Sequence, residues 1–361
     1  MQHATRPAMA HHRVGAAAPP VSPALAGQLA ALDAARLAPS AHNSQPWRFQ
    51  PAGDGLLVRW DAGRLLPHGD PRGRYLMTGL GAAAESLALG AVAAGRVGRV
   101  EYDLRPDRRI AARVHLAWGP AAASDRALAA AIPQRQTTRL PFWDEPLPAG
   151  VLDRLAGTAE RHGCHLLAVE GRRVEQVADL VADGTARNLA DPAVYREFHG
   201  WLRAARDPRA RRDGLPLRAL GLGPGAALVA PWQLEPARMR RLAAVGLHRA
   251  AASTQGRLAR RCPAFCLLVS SSEEPAALFG GGRAMLRVWL VATALGLRVH
   301  PMTAAMDHQP TRAALAGTFG VPADTAMVVC FRLGRGPTGP RAPRLPLAEL
   351  LVRGDLPPPP S

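Results

Sequence analysis

The chain has 361 residues, 48% of them hydrophobic, and a formal net charge of +17. Two domains, or one large core, fit this length, and the best membrane candidate, residues 285–297, is too short and contains Arg287. All 45 basic residues are arginines, spread along a chain with only 5% aromatic residues. Because nucleic-acid binding uses compact basic patches with aromatic side chains, we expect neither a membrane nor a nucleic-acid partner.

The two ends and the cysteines favour a cytoplasmic protein without a metal. Residues 1–22 are rich in Ala, Pro and His and lack the apolar centre of a signal peptide, so we expect a disordered tail. Residues 353–361 form a Pro-rich tail. The cysteines lack the paired spacing of a zinc site. They are Cys164, Cys262, Cys266 and Cys330.

The first third of the chain alternates helical and extended patterns. Pro23 stands where a first-turn proline is expected, and leucines at helical spacing continue to Leu37. The pattern then predicts a strand over 56–60, a long Ala/Gly/Leu-rich helix over 74–94 and a hairpin over 100–116. Small residues in the long helix allow close approach of another backbone, and packing against a neighbouring helix is the favoured explanation.

The loop between the first helix and the first strand holds the densest set of unusual residues. Residues 38–47 read Ala-Pro-Ser-Ala-His-Asn-Ser-Gln-Pro-Trp. Prolines such as Pro39 restrict the backbone, while Ser40 and Asn43 supply groups that both donate and accept hydrogen bonds. Such a loop suits a planar ligand with polar edges. A connector with a buried tryptophan explains the same residue types equally well.

The second part of the chain opens with a string of basic and hydroxyl residues. Arg135, Thr137 and Arg139 alternate with other residues there. Guanidinium groups and hydroxyls together satisfy phosphate oxygens, so the string predicts an anion site. A solvated charged turn fits it equally well. Further on, the pattern predicts a helix over 236–252 and a buried strand over 265–269.

Residues 190–235 are a candidate lid. Tyr195, Phe198 and Trp201 stand at helical spacing, and a connection rich in Gly, Pro and Arg follows them. Aromatic stripes of this kind usually pack in a core, whereas a long irregular connection can cover a site. We therefore expect this segment either to pack against the body of the protein or to cover a ligand.

Two of these strings resemble sequences of the FMN-dependent nitroreductase family. The loop matches the family's PS-x-x-N-x-Q-P-W pattern at six of nine positions, and the string at 135–139 matches the basic-x-Ser/Thr-x-basic opener of the family's domain. In the family, the opener binds the FMN phosphate and ribityl end, and its last basic residue lies near the pyrimidine edge. A closing basic pair completes the phosphate site, and Arg341 and Arg344 fit that pair.

The order of the strings implies a fused protein. The opener stands after the loop instead of before it, and residues 79–95 and 280–297 have similar Gly/Ala-rich sequences. The chain thus resembles the Acg-type branch of the superfamily, in which one polypeptide forms a pseudo-dimer. The resemblance implies an α+β nitroreductase-like fold of two tandem halves, 23–133 and 134–352, each with a mainly antiparallel sheet flanked by helices.

The resemblance also implies one flavin site where the halves meet. Residues of the second half would bind the phosphate and pyrimidine side of FMN: Arg135, Thr137, Arg139, Arg341 and Arg344. Residues of the first half would close the site from the other side: Pro39, Ser40 and Asn43.

The implied activity is transfer of hydride from NAD(P)H through FMN to a nitro-aromatic, quinone or similar small acceptor. No acid/base side chain is expected to be essential, because the cofactor carries the chemistry. An FMN-sequestering protein with a lidded site and little turnover is the alternative implication. Two pseudo-dimers could also associate as a homodimer.

Overall fold

The structure is a computed structural model that describes residues 23–220, 230, 232, 234–352 and 354. The predicted tail at 1–22 lies outside the described residues, as do most of the Pro-rich tail and part of the candidate lid.

The first half contains a four-stranded antiparallel sheet with helices packed on it. Its strands are β1 (Trp47–Ala52), β2 (Gly55–Trp60), β3 (Arg96–Arg105) and β4 (Ile110–Trp118). Its helices are α1 (Pro23–Ala35), α2 (Arg74–Gly90) and α3 (Ala123–Ala131). The strand order is β1-β2-β4-β3, and the antiparallel pairing of β3 with β4 confirms the predicted hairpin.

The second half contains another four-stranded antiparallel sheet and a short parallel pair. Its strands are β5 (His165–Glu170), β6 (Leu202–Arg203), β7 (Leu215–Pro216), β8 (Ala264–Ser270), β9 (Arg298–Pro301) and β10 (Ala326–Gly334). Its first helices are α4 (Val151–Glu160), α5 (Arg172–Ala190), α6 (Pro192–Gly200) and α7 (Pro236–Ala244). The remaining helices are α8 (His248–Ala259), α9 (Pro275–Ala294), α10 (Gln309–Phe319) and α11 (Leu347–Leu350).

The two larger sheets have the same topology. The second sheet is ordered β5-β8-β10-β9, while β6 pairs only with β7. In chain order, each large sheet therefore reads first, second, fourth, third strand, and a long helix, α2 or α9, precedes the third strand. The predicted α+β class, with an antiparallel sheet flanked by helices in each of two tandem halves, is confirmed. The exact division of the chain into 23–133 and 134–352 stays a prediction.

Helices α2 and α9 cross at closely matched positions. A Cβ atom on Gly81 would lie 2.0 Å from the carbonyl oxygen of Phe279, and one on Gly282 would lie 2.0 Å from that of Thr78. Each contacted residue stands three positions before the other glycine, as in the self-complementary contact of a two-fold dimer. Close helix packing, the favoured explanation for the small residues, is confirmed.

A buried carboxylate joins the same two helices. Glu85 on α2 is fully buried and accepts from Arg283 Nε at 2.7 Å and Arg287 Nε at 2.5 Å on α9. Arg287 also reaches Asp125 on α3 at 2.7 Å. Although burial raises the pKa of the Glu85 carboxyl, the two arginines hold it below its usual value. The ion pairs therefore fix one helix crossing between the halves.

Two predicted helices end earlier than expected. The helix predicted over 74–94 stops at Gly90 and continues as a 3₁₀ turn to Ala94. The continuous helix predicted over 236–252 is wrong, because the chain breaks between α7 and α8, where Gly246 has φ +76°.

Among the described residues, one helical stretch has the length and apolar composition to cross a membrane. It is α2 with the 3₁₀ turn that follows it, 74–94, and 78% of its apolar window is buried inside the protein.

Candidate functional site

The loop before β1 has an unusual backbone. Three of its residues, His42, Asn43 and Gln45, have positive φ of 51°, 55° and 50°, a region that residues with side chains rarely adopt. Each such residue costs of the order of 1 kcal/mol and persists only where surrounding contacts fix it. One such contact runs from the Gln45 backbone N–H to Ser40 Oγ at 3.0 Å. The loop is therefore a fixed structure rather than a flexible connector.

The Asn43 amide fastens the loop to the second half. Its Nδ2 donates to the carbonyl oxygens of Gly214 and Pro343, both at 3.0 Å. Its Oδ1 accepts from Arg344 Nη1. Both amide hydrogens are thus used within the protein, and the Oδ1 atom alone retains capacity for a further contact. Its predicted contact with a cofactor stays a prediction.

Gln45 makes a second connection of the same kind. Its Nε2 donates to the Arg212 carbonyl at 3.0 Å, and its Oε1 accepts from the Leu345 backbone N–H at 2.9 Å. Trp47, which follows, is fully buried in the core. The connector explanation therefore holds for Trp47, while the residues before it tie two distant segments of the second half to the first.

Arg135 and Arg344 meet just beyond the end of α1. Arg135 Nη2 donates to the Leu37 carbonyl at 2.7 Å, and Arg344 Nη2 donates to the same oxygen at 3.2 Å. Helix ends leave carbonyls unsatisfied, and these attract cations. The Arg135 guanidinium also lies over the Trp289 ring, 4.5 Å from its centroid. Arg135 of the opener and Arg344 of the closing pair therefore lie together at the end of the first helix.

These two arginines retain buried donors that no protein atom accepts. Arg135 Nη1 and Arg344 Nε are fully buried without a hydrogen-bond partner, and no carboxylate of the described residues pairs with either side chain. A buried cation without a counter-charge is unfavourable. An anion that accepts from both side chains would remove that cost.

The charges in this cluster repel one another. Burial, and then the charges of Arg344 and the exposed Arg341, lower the pKa of Arg135 to about 9. Burial, and then Arg36, lower the pKa of Arg344 to about 10. Guanidinium groups that converge without an acidic partner match a phosphate, which accepts several charge-assisted hydrogen bonds. The donor set therefore fits the phosphate end of a nucleotide-like ligand.

Arg332 shows the opposite behaviour and was missed by the sequence patterns. It is fully buried in β10, yet its donors all have acceptors: the carbonyls of Leu258, Arg261, Thr138 and Leu140, and Nδ1 of His300. Its guanidinium also lies over Phe142. An arginine in the middle of an otherwise apolar strand was the available signal. Arg332 is a structural cation, whereas Arg135 and Arg344 are not fully satisfied.

The opener runs as an extended segment beside β9. Thr137 forms an isolated parallel bridge with Val299, so alternate residues of the string share a face. Arg139 is four positions after Arg135 in this extended segment, so their Cα atoms are at most about 14 Å apart. Arg139 forms no ion pair with the described residues, and burial lowers its pKa to about 10. The string therefore has a guanidinium group at each end, an arrangement that fits an elongated ligand.

The remaining predicted residues lie on the first-half side. Gly79 of α2 lies next to Pro39 and Ser40, since a Cβ there would be 3.9 Å from each. Burial, and then the charge of Arg139, lower the pKa of His42, in the same loop, to about 4. Arg135 reaches Leu37, just before the loop, through a hydrogen bond, and Arg139 acts on His42 through its charge. Their roles in binding stay predictions.

The described part of the candidate lid lies against this loop. The Phe198 ring of α6 contacts His42 edge-on, with centroids 5.2 Å apart. The Gly214 backbone N–H donates to the Asn43 carbonyl at 3.3 Å. Asp213 pairs with Arg64 of the first half at 3.1 Å. The candidate lid therefore rests on the first half through backbone, aromatic and ionic contacts.

The cysteines offer no reactive site. Burial raises the pKa of Cys164 to about 11 and that of Cys262 to about 12, so both thiols stay protonated and unreactive near neutral pH. No group of three His, Cys, Asp or Glu side chains that could hold a metal occurs within the described residues.

The protein without any bound ligand is expected to lose stability as the pH falls from 6.5 to 4. The unfolded chain protonates His42 near pH 6.5, whereas the folded protein protonates it near pH 4. Within this window the unfolded state binds the extra proton, so His42 alone lowers the free energy of unfolding by up to about 1.4 kcal/mol per pH unit. Urea unfolding at several pH values measures the slope. His42→Gln should reduce that slope, and an equal slope in the variant contradicts the assignment.

The chain is similar to two Mycobacterium tuberculosis proteins that carry nitroreductase names. No family model matches the chain. Rv3131 of Mycobacterium tuberculosis (strain ATCC 25618 / H37Rv), which carries the name of an NAD(P)H nitroreductase, is 28% identical over 329 residues, covering 87% of this chain and 88% of the relative. The NAD(P)H nitroreductase named acg from the same strain is 26% identical over 325 residues, covering 87% of this chain and 91% of the relative.

These likenesses confirm the resemblance seen in the loop and the opener. Along most of its length, the chain is similar to proteins of the nitroreductase superfamily. Within that superfamily, the similarity is to the Acg-type branch, since acg itself matches over nearly its whole length.

Solved nitroreductase structures are similar more weakly. The FMN and NADPH-dependent nitroreductase NfnB from Sphigopyxis sp. strain HMH has 19% identity and a TM-score of 0.40, covering 63% of this chain and 99% of its own. NfnB from Mycobacterium smegmatis, solved with NADPH, has 17% identity and a TM-score of 0.39, covering 62% and 96%. The fold class of this chain is therefore assigned from its own strand order and helices.

Proposed function

We propose that the chain is an FMN-dependent oxidoreductase of nitroreductase type, which uses NAD(P)H to reduce a nitro-aromatic, quinone or similar small acceptor. The observation that carries the proposal is a pair of neighbouring arginines, the buried Arg135 and the half-buried Arg344, which share the Leu37 carbonyl, have no carboxylate partner among the described residues, and each keep one buried donor without an acceptor. The similarity to proteins named NAD(P)H nitroreductases supports it over 87% of the chain.

Each part of the site has a role in this proposal. Arg135 and Arg344 bind the phosphate, with Arg341 adding charge from the surface, and Thr137 faces the ribityl chain. Arg139 presents positive charge at the pyrimidine edge. Pro39, Ser40 and Asn43 close the site from the first half.

The protein's contribution is position and charge. FMN supplies the electron-transfer chemistry when it is bound. Arg139 favours negative charge at the ring edge that it faces, because a preorganised cation in a half-buried site acts more strongly than one in water. Among the described residues, no carboxylate acts on Arg139 that would cancel this effect. No acid/base side chain is assigned.

The visible absorption spectrum of the purified protein, after incubation with FMN and gel filtration, tests the proposal. We expect a yellow protein that retains about one FMN per chain, because the first half has the loop but no opener, whereas the second half has the opener but no second loop of this kind. Two FMN per chain would mean a second site between the halves. A colourless protein with no measurable FMN affinity contradicts the proposal.

A second candidate function is FMN sequestration. The contacts of Gly214 with Asn43 and of Arg212 with Gln45 favour it, since a lid fastened in this way blocks access of a second substrate. Anaerobic mixing of the flavin-loaded protein with NADPH distinguishes the two functions. Bleaching of the flavin absorbance within turnover times supports the enzyme, while an unreactive yellow protein supports sequestration.

We also propose a cytoplasmic location and a small-molecule acceptor, with no membrane or nucleic-acid partner. Association of two pseudo-dimers is compatible with the fold. Analytical ultracentrifugation measures the association. Steep, salt-dependent binding to DNA would contradict the proposed set of partners.

A further inference from the structure

His300 has a tautomer fixed by its neighbour. It lies on β9 opposite Arg332 of β10, and Arg332 Nε donates to His300 Nδ1 at 3.1 Å. A guanidinium can only donate, so Nδ1 must carry a lone pair. A neutral imidazole with an unprotonated Nδ1 has its proton on Nε2. The Nε2–H group of His300 is therefore an obligatory hydrogen-bond donor.

That donor has no acceptor within the described residues. The sole hydrogen bond that the structure gives to the His300 ring is the one from Arg332, and Nε2 is not one of the fully buried atoms that lack a partner. His300 is only 5% exposed. Its Nε2 atom is nevertheless accessible from outside the protein.

A second donor, Arg139, is near His300 in the fold. Thr138, the residue before Arg139, donates from its backbone N–H to the Val299 carbonyl at 3.3 Å, so the backbone of Arg139 lies beside the strand that carries His300. Burial, and then the charges of Arg332 and Arg139, hold the pKa of His300 well below its usual value. The imidazole stays neutral, and it offers an N–H next to an unpaired guanidinium.

We propose that His300 is a further ligand-binding residue of the site, donating from Nε2 to a carbonyl or enolate oxygen of the ring that Arg139 also faces, and that Arg332 is the positioning residue that fixes this tautomer. The inference rests on the proposed function, because it takes the pyrimidine edge of FMN as the ligand. A neutral donor and a cation together stabilise an oxygen that gains negative charge more than one that stays neutral.

The tautomer can be measured without catalysis. Long-range ¹H–¹⁵N correlation spectra of ¹⁵N-histidine-labelled protein should show His300 with Nε2 protonated and Nδ1 unprotonated between pH 6 and 8. Addition of FMN should shift the Nε2 signal. A protonated Nδ1, or an Nε2 signal that FMN does not move, overturns the inference.

The second arm measures the reduction potential of the bound flavin. His300→Leu removes the donor, so the affinity for reduced flavin relative to oxidised flavin should fall about tenfold, seen as a more negative midpoint potential. His300→Gln keeps an N–H near the Nε2 position and should restore part of the loss. Equal potentials in wild type and His300→Leu overturn the inference.

The outcomes separate the inference from the function on which it rests. A wild-type protein that binds no FMN contradicts the proposed function, and with it the ligand assigned to His300. A protein that binds FMN normally with an unmoved Nε2 signal contradicts the inference alone. The spectra of the wild-type protein decide the question even if His300→Leu fails to fold.

Discussion

Replacing Arg135 with Met is expected to lower the affinity for FMN tenfold or more while leaving the flavin-free protein as stable as before, or more stable. Arg135 is 7% exposed, its guanidinium has one carbonyl acceptor, and the charges of Arg344 and Arg341 repel it. Removing it relieves an uncompensated buried charge. The bound state loses a charge-assisted contact to phosphate of about 1.5–3 kcal/mol, which corresponds to tenfold or more in affinity.

Riboflavin provides the control ligand for this variant. It has the same ring system as FMN but lacks the phosphate, so its affinity should be the same in wild type and Arg135→Met. Titrations followed by flavin fluorescence measure both affinities, and urea unfolding of the flavin-free proteins measures their stability. A variant that loses riboflavin and FMN alike would show that Arg135 does not act through the phosphate.

Arg332→Met is the matched control variant. Both arginines are buried, but every donor of Arg332 has an acceptor in the protein. Its removal takes a charged donor from four carbonyls and from His300 Nδ1, and within the described residues only the carbonyls of Leu258 and Arg261 keep a backbone N–H donor. We therefore expect a loss of about 3 kcal/mol or more in the free energy of unfolding. If Arg135→Met is as destabilised as Arg332→Met, Arg135 is a structural residue and the anion site is contradicted.

Local patterns predicted the regular elements well where the pattern had a single explanation. The hairpin of β3 and β4 follows from two β-prone runs around a Pro-Asp turn, and the structure has both strands. The break between α7 and α8 was missed because helix-favouring residues stand on both sides of it. The left-handed Gly246 ends the first helix, but a glycine within a helical pattern is compatible with either outcome.

The site could be predicted from the sequence only in its residue types. The string at 135–139 fitted both a charged turn and an anion site, and burial of Arg135 and Arg344 without counter-charges now favours the second. That distinction depends on Leu37 and Trp289, which are far away in the chain. Tertiary partners of this kind leave no local pattern.

For Asn43 and His300, the sequence patterns were insufficient to distinguish a binding role from a structural one. The sequence predicted Asn43 as a ligand contact, yet its amide hydrogens bind two carbonyls of the second half. The sequence patterns assigned no role to His300, because nothing in the four-residue strand Arg298–Pro301 distinguishes it. Its properties come from Arg332 across the sheet. Polar residues cannot be assigned to binding or to structure until their hydrogen bonds are counted.

Replacing Gly282 with Ala is expected to destabilise the protein by about 3 kcal/mol, the upper part of the range for overpacking. The new Cβ would lie 2.0 Å from the Thr78 carbonyl oxygen, and neither backbone can move aside without separating α9 from α2. Gly280→Ala is the matched control, because a Cβ there meets nothing within 4 Å. That variant should gain about 1 kcal/mol, since alanine favours a helix more than glycine does.

The corresponding glycines of α2, in the first half, offer an equivalent test. Gly81→Ala brings a Cβ to 2.0 Å from the Phe279 carbonyl, whereas Gly79→Ala makes only ordinary contacts at 3.9 Å. Urea unfolding of the four variants should therefore give two destabilised proteins and two that are not, in matching pairs. Equal stability within either pair would contradict the close, symmetric crossing of α2 and α9.

The same crossing decides whether the site forms at all. Asn43 of the first half and Arg344 of the second are joined by a hydrogen bond, so a displacement of one half against the other pulls the loop away from the arginines. We therefore expect Gly282→Ala and Gly81→Ala to weaken FMN and riboflavin binding together, unlike Arg135→Met, which weakens FMN alone. Normal affinity for both flavins in a destabilised Gly282→Ala protein would mean that the flavin site does not depend on how the halves meet.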